Sequence, residues 1–175
     1  MINSNKIIIR EKTTADAWDD YAWDTDPELA QLDAAPVLNI SYSDYLLEYT
    51  YELQIPRSTS RRLSVDTLDG VHIGNCSYYN LNQTRGETEL GIMIGNRDYW
   101  DKGYGADVVT ALVNYIFQQM NLSRVHLKTL VSNTRAQKCF QKCGFTNCGQ
   151  LAKDGFRFTL MEINRNQWQG QPAGE

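Results

Sequence analysis

The chain has 175 residues, 42% of them apolar, and a formal net charge of −4. Such a length and composition suit one globular domain with a sizeable core, and the acidic balance argues against a nucleic-acid backbone as the main partner. No stretch is long and apolar enough to span a bilayer. The Ile7-Ile8-Ile9 run, closed in by Lys6 and Arg10, is too short for a signal-peptide core, so no membrane association and a cytoplasmic location are expected. Four cysteines as reduced thiols fit that compartment, and with no histidine at zinc-finger spacing no metal is expected.

A first strand is expected over Lys6–Lys12. Thr14 or Asp16 can cap a short helix around Ala17, and Pro27 suits the first turn of another within 24–33. Trp18, Tyr21 and Trp23 in this acidic stretch either plug one end of the core or wall a pocket for a cation. Ser41 with Asp44 opens a helix over 41–53 whose buried stripe is Tyr42, Tyr45, Leu46, Tyr49 and Leu53. Arg61–Thr67 and Val71–Tyr79 read as strands joined by the Leu68-Asp69-Gly70 turn, and a polar turn over 81–86 leads into a third strand from Glu87. Three antiparallel strands in a meander result.

Then comes Asn-Arg-Asp-Tyr-Trp-Asp-Lys-Gly-Tyr-Gly at 96–105, followed by a helix whose stripe is Val109, Leu112, Val113, Ile116, Phe117 and Met120. A strand, a loop bearing Gly103 and Gly105, and a helix start together suggest an anion site, or else only a tight turn. The dinucleotide fingerprint fails at Val108, and the P-loop fails because Lys102 precedes the glycine. Arg124–Val131 alternates as a strand, with Val125, Leu127, Thr129 and Val131 on one face. Asn133 caps a helix with Ala136, Cys139, Phe140 and Cys143 as its stripe and Gly144 past its end. Strands over 145–151 and 156–163 flank the Lys153-Asp154-Gly155 turn, and the tail over 169–175 is expected to be loose.

This order, with Asp-Lys-Gly-Tyr-Gly at 101–105 and the helix from Asn133 to Gly144-Phe145, resembles the GNAT superfamily of acyl-CoA-dependent N-acetyltransferases over nearly the whole chain. Trp23-Asp24-Thr25-Asp26-Pro27-Glu28, Arg61-Arg62 and Trp100 are similar to its RimJ/RimL-type branch. The resemblance implies an α+β fold: a mixed, mostly antiparallel twisted sheet of about seven strands with helices on both faces, in a single domain over 1–168. It implies acetyl-CoA as cosubstrate and direct attack by a primary amine, through a tetrahedral intermediate. The acceptor would be a protein N-terminus or a small amine, selected by the segments 16–36 and 56–61, and the protein a monomer or homodimer.

The resemblance also assigns positions. A bulged strand at Ile92, Met93 and Ile94 would splay from its neighbour, pair with pantetheine and hold the thioester oxygen. The pyrophosphate would lie on the N–H groups from Asp101 through Lys102, Gly103, Tyr104 and Gly105 to Ala106. Trp100 replaces the family's usual Gln or Arg. Asn133, Arg135 and Lys138 would run near pantetheine and the adenosine phosphates, the last two being equally readable as a solvated helix face. Glu89 is the expected base, with Glu87 second on the same strand face; either could instead be a salt-bridged edge carboxylate.

Phe140 stands where the family often has a tyrosine that protonates the leaving thiolate, so the thiolate leaves unassisted or draws on Ser132, Tyr78 or Tyr79 through water. Cys139 is a core thiol or a nucleophile, and His72 and His126 are structural or surface residues. Phe140 also keeps open a non-catalytic acyl-CoA-binding or sensing module, and a nucleotide-binding protein of another class is a third reading.

Overall fold

The computed structural model describes residues 1–55 and 57–168. Eight strands form one sheet in the order β1-β2-β3-β4-β5-β6-β8-β7. They are β1 (Ile2–Asn3), β2 (Ile7–Glu11), β3 (Arg61–Thr67), β4 (His72–Asn82), β5 (Glu87–Ile94), β6 (Arg124–Leu130), β7 (Thr146–Lys153) and β8 (Phe156–Asn164). All neighbours are antiparallel except β5 and β6, which run parallel. The strand beyond the expected seven is β1, whose two residues are too few to show a period. The tail over 169–175 lies outside the described residues.

The described residues include five α-helices: α1 (Ala17–Asp24), α2 (Pro27–Leu32), α3 (Tyr42–Gln54), α4 (Tyr104–Gln119) and α5 (Thr134–Lys142). Their starts follow local chemistry. Asp26 accepts from the N–H groups of Glu28 and Leu29 with Pro27 in the first turn, Ser41 accepts from Asp44 N–H, and Asn133 accepts from Ala136 N–H. Helix α4 differs, since no side chain caps it and its N-cap is Gly103 at φ 85.

Helices cover both faces of the sheet, and the two faces differ in chemistry. On one, Val108, Val109, Leu112, Val113, Ile116 and Phe117 of α4 pack on Ile7, Ile9, Leu63, Val65, Ile73 and Leu90 in the main core. Each fully buried side chain of this size contributes about 1.5–3 kcal/mol. On the other, α1 and α3 meet polar side chains. Asp20 of α1 accepts from Lys12, from Asn75 Nδ2 at 2.6 Å and from Tyr49 Oη at 2.9 Å, with His72 Nε2 at 3.3 Å. Asp16 takes Ser64 Oγ at 2.8 Å and both terminal nitrogens of Arg10 at 2.7 and 2.8 Å.

Several expectations need correction. Leu53 does not belong to the buried stripe of α3: it is exposed, while Tyr45 and Tyr49 are buried and Tyr42 and Leu46 partly so. Val131 lies beyond the end of β6 and is exposed. Of the three early aromatics, Trp23 is buried beneath Gly95, whereas Trp18 is exposed. No residue of α5 is fully buried, because its apolar stripe faces a cavity as well as α4.

What positions the site is the way β5 and β6 part. Their parallel pairing covers only Glu87–Glu89 against Arg124–His126. Beyond it β5 stays on β4 as far as Ile94, and β6 stays on β8 as far as Leu130. The facing edges therefore carry backbone groups with no ladder partner, which is where an added extended chain can pair. The splay is as expected, but the bulge is not: β5 pairs with β4 in unbroken register through Ile92, Met93 and Ile94. The irregularity falls between Tyr79 and Asn82, where Asn80 has φ 53.

Candidate active site

Two cavities, of about 370 Å³ and about 230 Å³, meet along the splay. They share Leu32, Asp33, Ile92, Asn133, Ala136 and Phe140. The larger runs past Met93 and Ile94 to Trp100, Asp101, Gly103, Gly105 and Ala106, with Arg135, Lys138 and Lys142 on the α5 side. The smaller runs between Tyr79, Leu90 and Gly91 on one wall and Leu127, Lys128 and Phe158 on the other.

One end of the larger cavity gathers a helix start and three cationic side chains. Helix α4 begins at Tyr104, and its first recorded backbone bond is from Asp107 N–H to Gly103 O. The N–H groups of Tyr104, Gly105 and Ala106 thus lack helical partners, at the positive end of a sixteen-residue helix. Left-handed φ at Asp101 (56) and Gly103 (85) curls the loop into this start. A Cβ on Gly105 would lie 3.7 Å from Cys139 Sγ and 3.9 Å from Ile94 Cγ1, in the throat between α4 and α5. Arg135, Lys138 and Lys142 occupy positions i, i+3 and i+7 of α5 and put three cations on the same cavity.

Trp100 organises this end. Its Nε1–H donates to Ile94 O at 2.6 Å, and the Arg135 guanidinium lies 3.5 Å from its ring centre. Arg97 also lies over the ring, at 5.5 Å, but is committed to ion pairs with Asp26 and Glu28. Arg135, stacked on the tryptophan, thus sets a cation on the same cavity as the loop. The indole thus takes one backbone oxygen of β5 beyond its pairing with β6, and the rest of that edge is left open.

Most of the expected residues come together here: Ile92, Met93, Ile94, Trp100, Asp101, Gly103, Gly105, Ala106, Asn133, Arg135 and Lys138 all line the larger cavity. The side chains of Lys102 and Tyr104 do not. The carbonyl of Lys102 accepts from Lys6 Nζ at 2.8 Å, and Tyr104 packs edge-on against Tyr99. Cys139 is a cavity-lining thiol rather than a core one. Lys142 lines the site without a flag in the sequence, whereas Leu29, Leu32 and Asp33 line it from within the segment 16–36 expected to select the acceptor. Lys142 could have been found from its spacing to Arg135; which residues of the 16–36 segment meet the splay could not, because only the fold carries α2 over it. None of the described residues of the acceptor-selecting segment expected at 56–61 lines either cavity: Arg57, Ser60 and Arg61 line a separate groove beside Tyr49 and Lys12.

Glu89 sits behind the smaller cavity, 8% exposed. Lys128 Nζ donates to it at 2.6 Å, Tyr79 Oη at 2.9 Å and Asn80 Nδ2 at 3.0 Å. Burial works to raise its pKa, but the hydrogen bonds from Lys128 and Tyr79 win and hold it below the ordinary glutamate value. Glu87 is paired with Arg124 at 2.7 Å. Burial, then the Glu89 charge, push the Tyr79 phenol well up. Phe140 lines both cavities and brings no proton to their junction. His72 belongs to the polar layer under α1, between Asp20 and Asp66.

The comparisons with known proteins agree with this geometry. Residues 6–146 match the Acetyltransferase (GNAT) domain family. The N-acetyltransferase p20 of Bacillus licheniformis is 28% identical over 149 residues, covering 79% of this chain and 83% of its own. A spermidine N(1)-acetyltransferase of Vibrio cholerae is 26% identical over 110 residues, 63% of each chain. The fold superposes on the crystal structure of spermidine N-acetyltransferase from Vibrio cholerae in complex with CoA and spermine, with a TM-score of 0.81 at 20% identity, covering 92% of this chain and 96% of that one. Aminoglycoside acetyltransferase AAC(6')-Ib in complex with coenzyme A gives a TM-score of 0.76 at 20% identity, covering 92% and 96%. The chain belongs to the GNAT acetyltransferase family and is an acetyl-CoA-dependent N-acetyltransferase.

Proposed function

We propose that the protein transfers the acetyl group of acetyl-CoA to a primary amine of a small, cationic acceptor, by direct attack of the amine on the thioester. The observation that carries this is the meeting of two cavities at the β5–β6 splay. A cofactor lying on Ile92 and Met93 with its pyrophosphate at the start of α4 would present its thioester at that junction, with the smaller cavity left for the acceptor. The relatives that act on spermidine or aminoglycosides favour a small polyamine or amino sugar. The RimJ/RimL-type likeness of Trp23–Glu28, Arg61-Arg62 and Trp100 would instead suggest a protein N-terminus; a junction roofed by α2 suits the smaller acceptor.

Acetyl-CoA supplies an activated acyl group whose thiolate is a good leaving group. The chain's part is to bind, orient and deprotonate. The free N–H groups of Tyr104, Gly105 and Ala106 with Arg135, Lys138 and Lys142 would hold the phosphates. The open backbone of Ile92 and Met93 would align pantetheine and the thioester oxygen. Glu89 would hold Lys128 and Tyr79 in place, since both are bonded to it. With Phe140 at the junction, the departing sulfur would take its proton from the attacking nitrogen.

The test is thermal unfolding with acetyl-CoA, CoA, NADH and ATP, followed by release of free thiol from acetyl-CoA with spermidine, kanamycin and a peptide bearing a free N-terminus. The reading expects stabilisation by acetyl-CoA and CoA, about 2.7 kcal/mol at a hundred times Kd, and thiol release with a small amine. Binding without turnover on any amine would favour a sensing module, and turnover on the peptide alone would favour the N-terminal reading.

A further inference from the structure

We infer that Asp33, just past the end of α2, is the carboxylate that receives the acceptor's ammonium group and takes its proton; this rests on the acetyl-transfer reading. Six residues line both cavities, and Asp33 is the ionisable one among them. The others are Leu32, Ile92, Asn133, Ala136 and Phe140, none of them ionisable, and the Asn133 Oδ1 accepts from Ala136 N–H at 3.1 Å to cap α5. A group that must touch an amine in the smaller cavity and a thioester in the larger one has to stand at this junction.

The competing carboxylates are committed. Glu89 accepts from three donors, Asp24 accepts from Tyr45 Oη at 3.0 Å, and Asp16 and Asp20 are buried in the polar layer under α1. Asp101 lines only the larger cavity, at the phosphate end. Asp33 is exposed to the cleft's water, and among the described residues no hydrogen bond is made to its carboxylate. Burial first, and then the like charge of Asp24 on α1, raise its pKa, against an opposing pull from Lys128 on β6. Tyr79 on β4 is the remaining titratable group that senses it, through a phenol bonded to Glu89. A carboxylate shifted towards neutrality is a stronger base than a free one, and it still carries the charge that attracts an ammonium ion.

The protons and electrons balance. The ammonium pairs with Asp33 and passes one proton to it, and from there to water. The freed nitrogen lone pair forms the C–N bond at the thioester carbon. The C–S bond breaks with its electron pair on sulfur, and a second nitrogen proton ends on that sulfur. Ammonium plus acetyl thioester thus yields acetamide, thiol and one proton to solvent.

The experiment compares wild type with Asp33→Asn and Asp33→Glu, using spermidine and kanamycin as acceptors, over a range of pH. Acetyl-CoA affinity is measured in parallel by calorimetric titration. Asp33→Asn is expected to lower kcat/KM by about 100-fold or more, raise the amine KM, and leave the acetyl-CoA Kd within about twofold, since phosphates and pantetheine are held elsewhere. The acid limb of the wild-type pH profile should vanish, leaving a rate that climbs with the acceptor's own deprotonation. Asp33→Glu should recover part of the rate and the limb. Asp33→Asn with wild-type kcat/KM and an unchanged acid limb would overturn the assignment while leaving acetyl transfer standing. Wild type that fails to bind acetyl-CoA, or binds it and consumes none with either amine, overturns the acetyl-transfer reading and Asp33's role with it.

Discussion

Arg135 offers the sharpest test of how the cofactor's phosphates are held. Its guanidinium lies 3.5 Å from the centre of the Trp100 ring and makes no ion pair among the described residues, so its charge is free for a ligand. Replacing it with alanine removes one charge-assisted hydrogen bond to phosphate, worth about 1.5–3 kcal/mol. CoA affinity should therefore fall about 10- to 100-fold. Trp100→Ala leaves the cation but removes its platform, and a cation–π contact is worth about 0.5–2 kcal/mol. That variant also frees Ile94 O, so its loss should be smaller, about 2- to 30-fold. Calorimetric titration of CoA at two salt concentrations reads both, and raising the salt should narrow the gap between wild type and Arg135→Ala, because that gap is electrostatic. Arg135→Ala binding CoA within twofold of wild type, or a gap indifferent to salt, would show that Arg135 lies on a solvated helix face.

Three further predictions concern the scaffold. Lys12→Met should cost about 3–5 kcal/mol, since it leaves the buried Asp20 carboxylate without its cation, and Lys12→Met/Asp20→Asn should recover part of it; equilibrium denaturation checks both. Stability should fall in acid: although burial works to raise Asp20, its hydrogen bond with His72 and the charge of Lys12 lower it from 3.8 to about 2. The resulting stabilisation, about 2 kcal/mol, is full above pH 4 and is lost as pH falls through 2, so an Asp20→Asn variant should show a flatter acid limb in thermal unfolding. Gly95→Ala would place a Cβ 2.1 Å from Trp23 Cδ2. The forced shift should cost about 1–3 kcal/mol and lower Tm by several degrees.

The parts of this molecule that depend on local chemistry were legible before the fold was known. Ser41, Asn133 and Gly144 mark helix ends because caps are set by neighbours a few residues away. The turn at Gly103–Gly105 into an amphipathic helix was readable for the same reason. Side-chain roles decided by packing were not legible. Leu53 fits the α3 stripe by spacing, yet nothing covers it. The stripe of α5 reads as core but walls a cavity, because an apolar face does not announce whether protein or ligand will cover it. Glu89 was conspicuous as a strand carboxylate, while Lys128, the partner that engages it, lies 39 positions away. Asp33 fell within the expected acceptor-selecting segment 16–36 but did not stand out among its many acids, since its position at both cavities comes from the placement of α2 over the splay.

The most direct measurement of the central claim is to follow an isotopically labelled acetyl group by NMR, from acetyl-CoA through a reaction with spermidine or kanamycin. The account predicts that the label appears as an amide on the acceptor's primary nitrogen, in step with thiol release, and that no acetylated protein accumulates. Label that stays on CoA, emerges as acetate, or collects on Cys139 would contradict direct transfer at the junction of the two cavities.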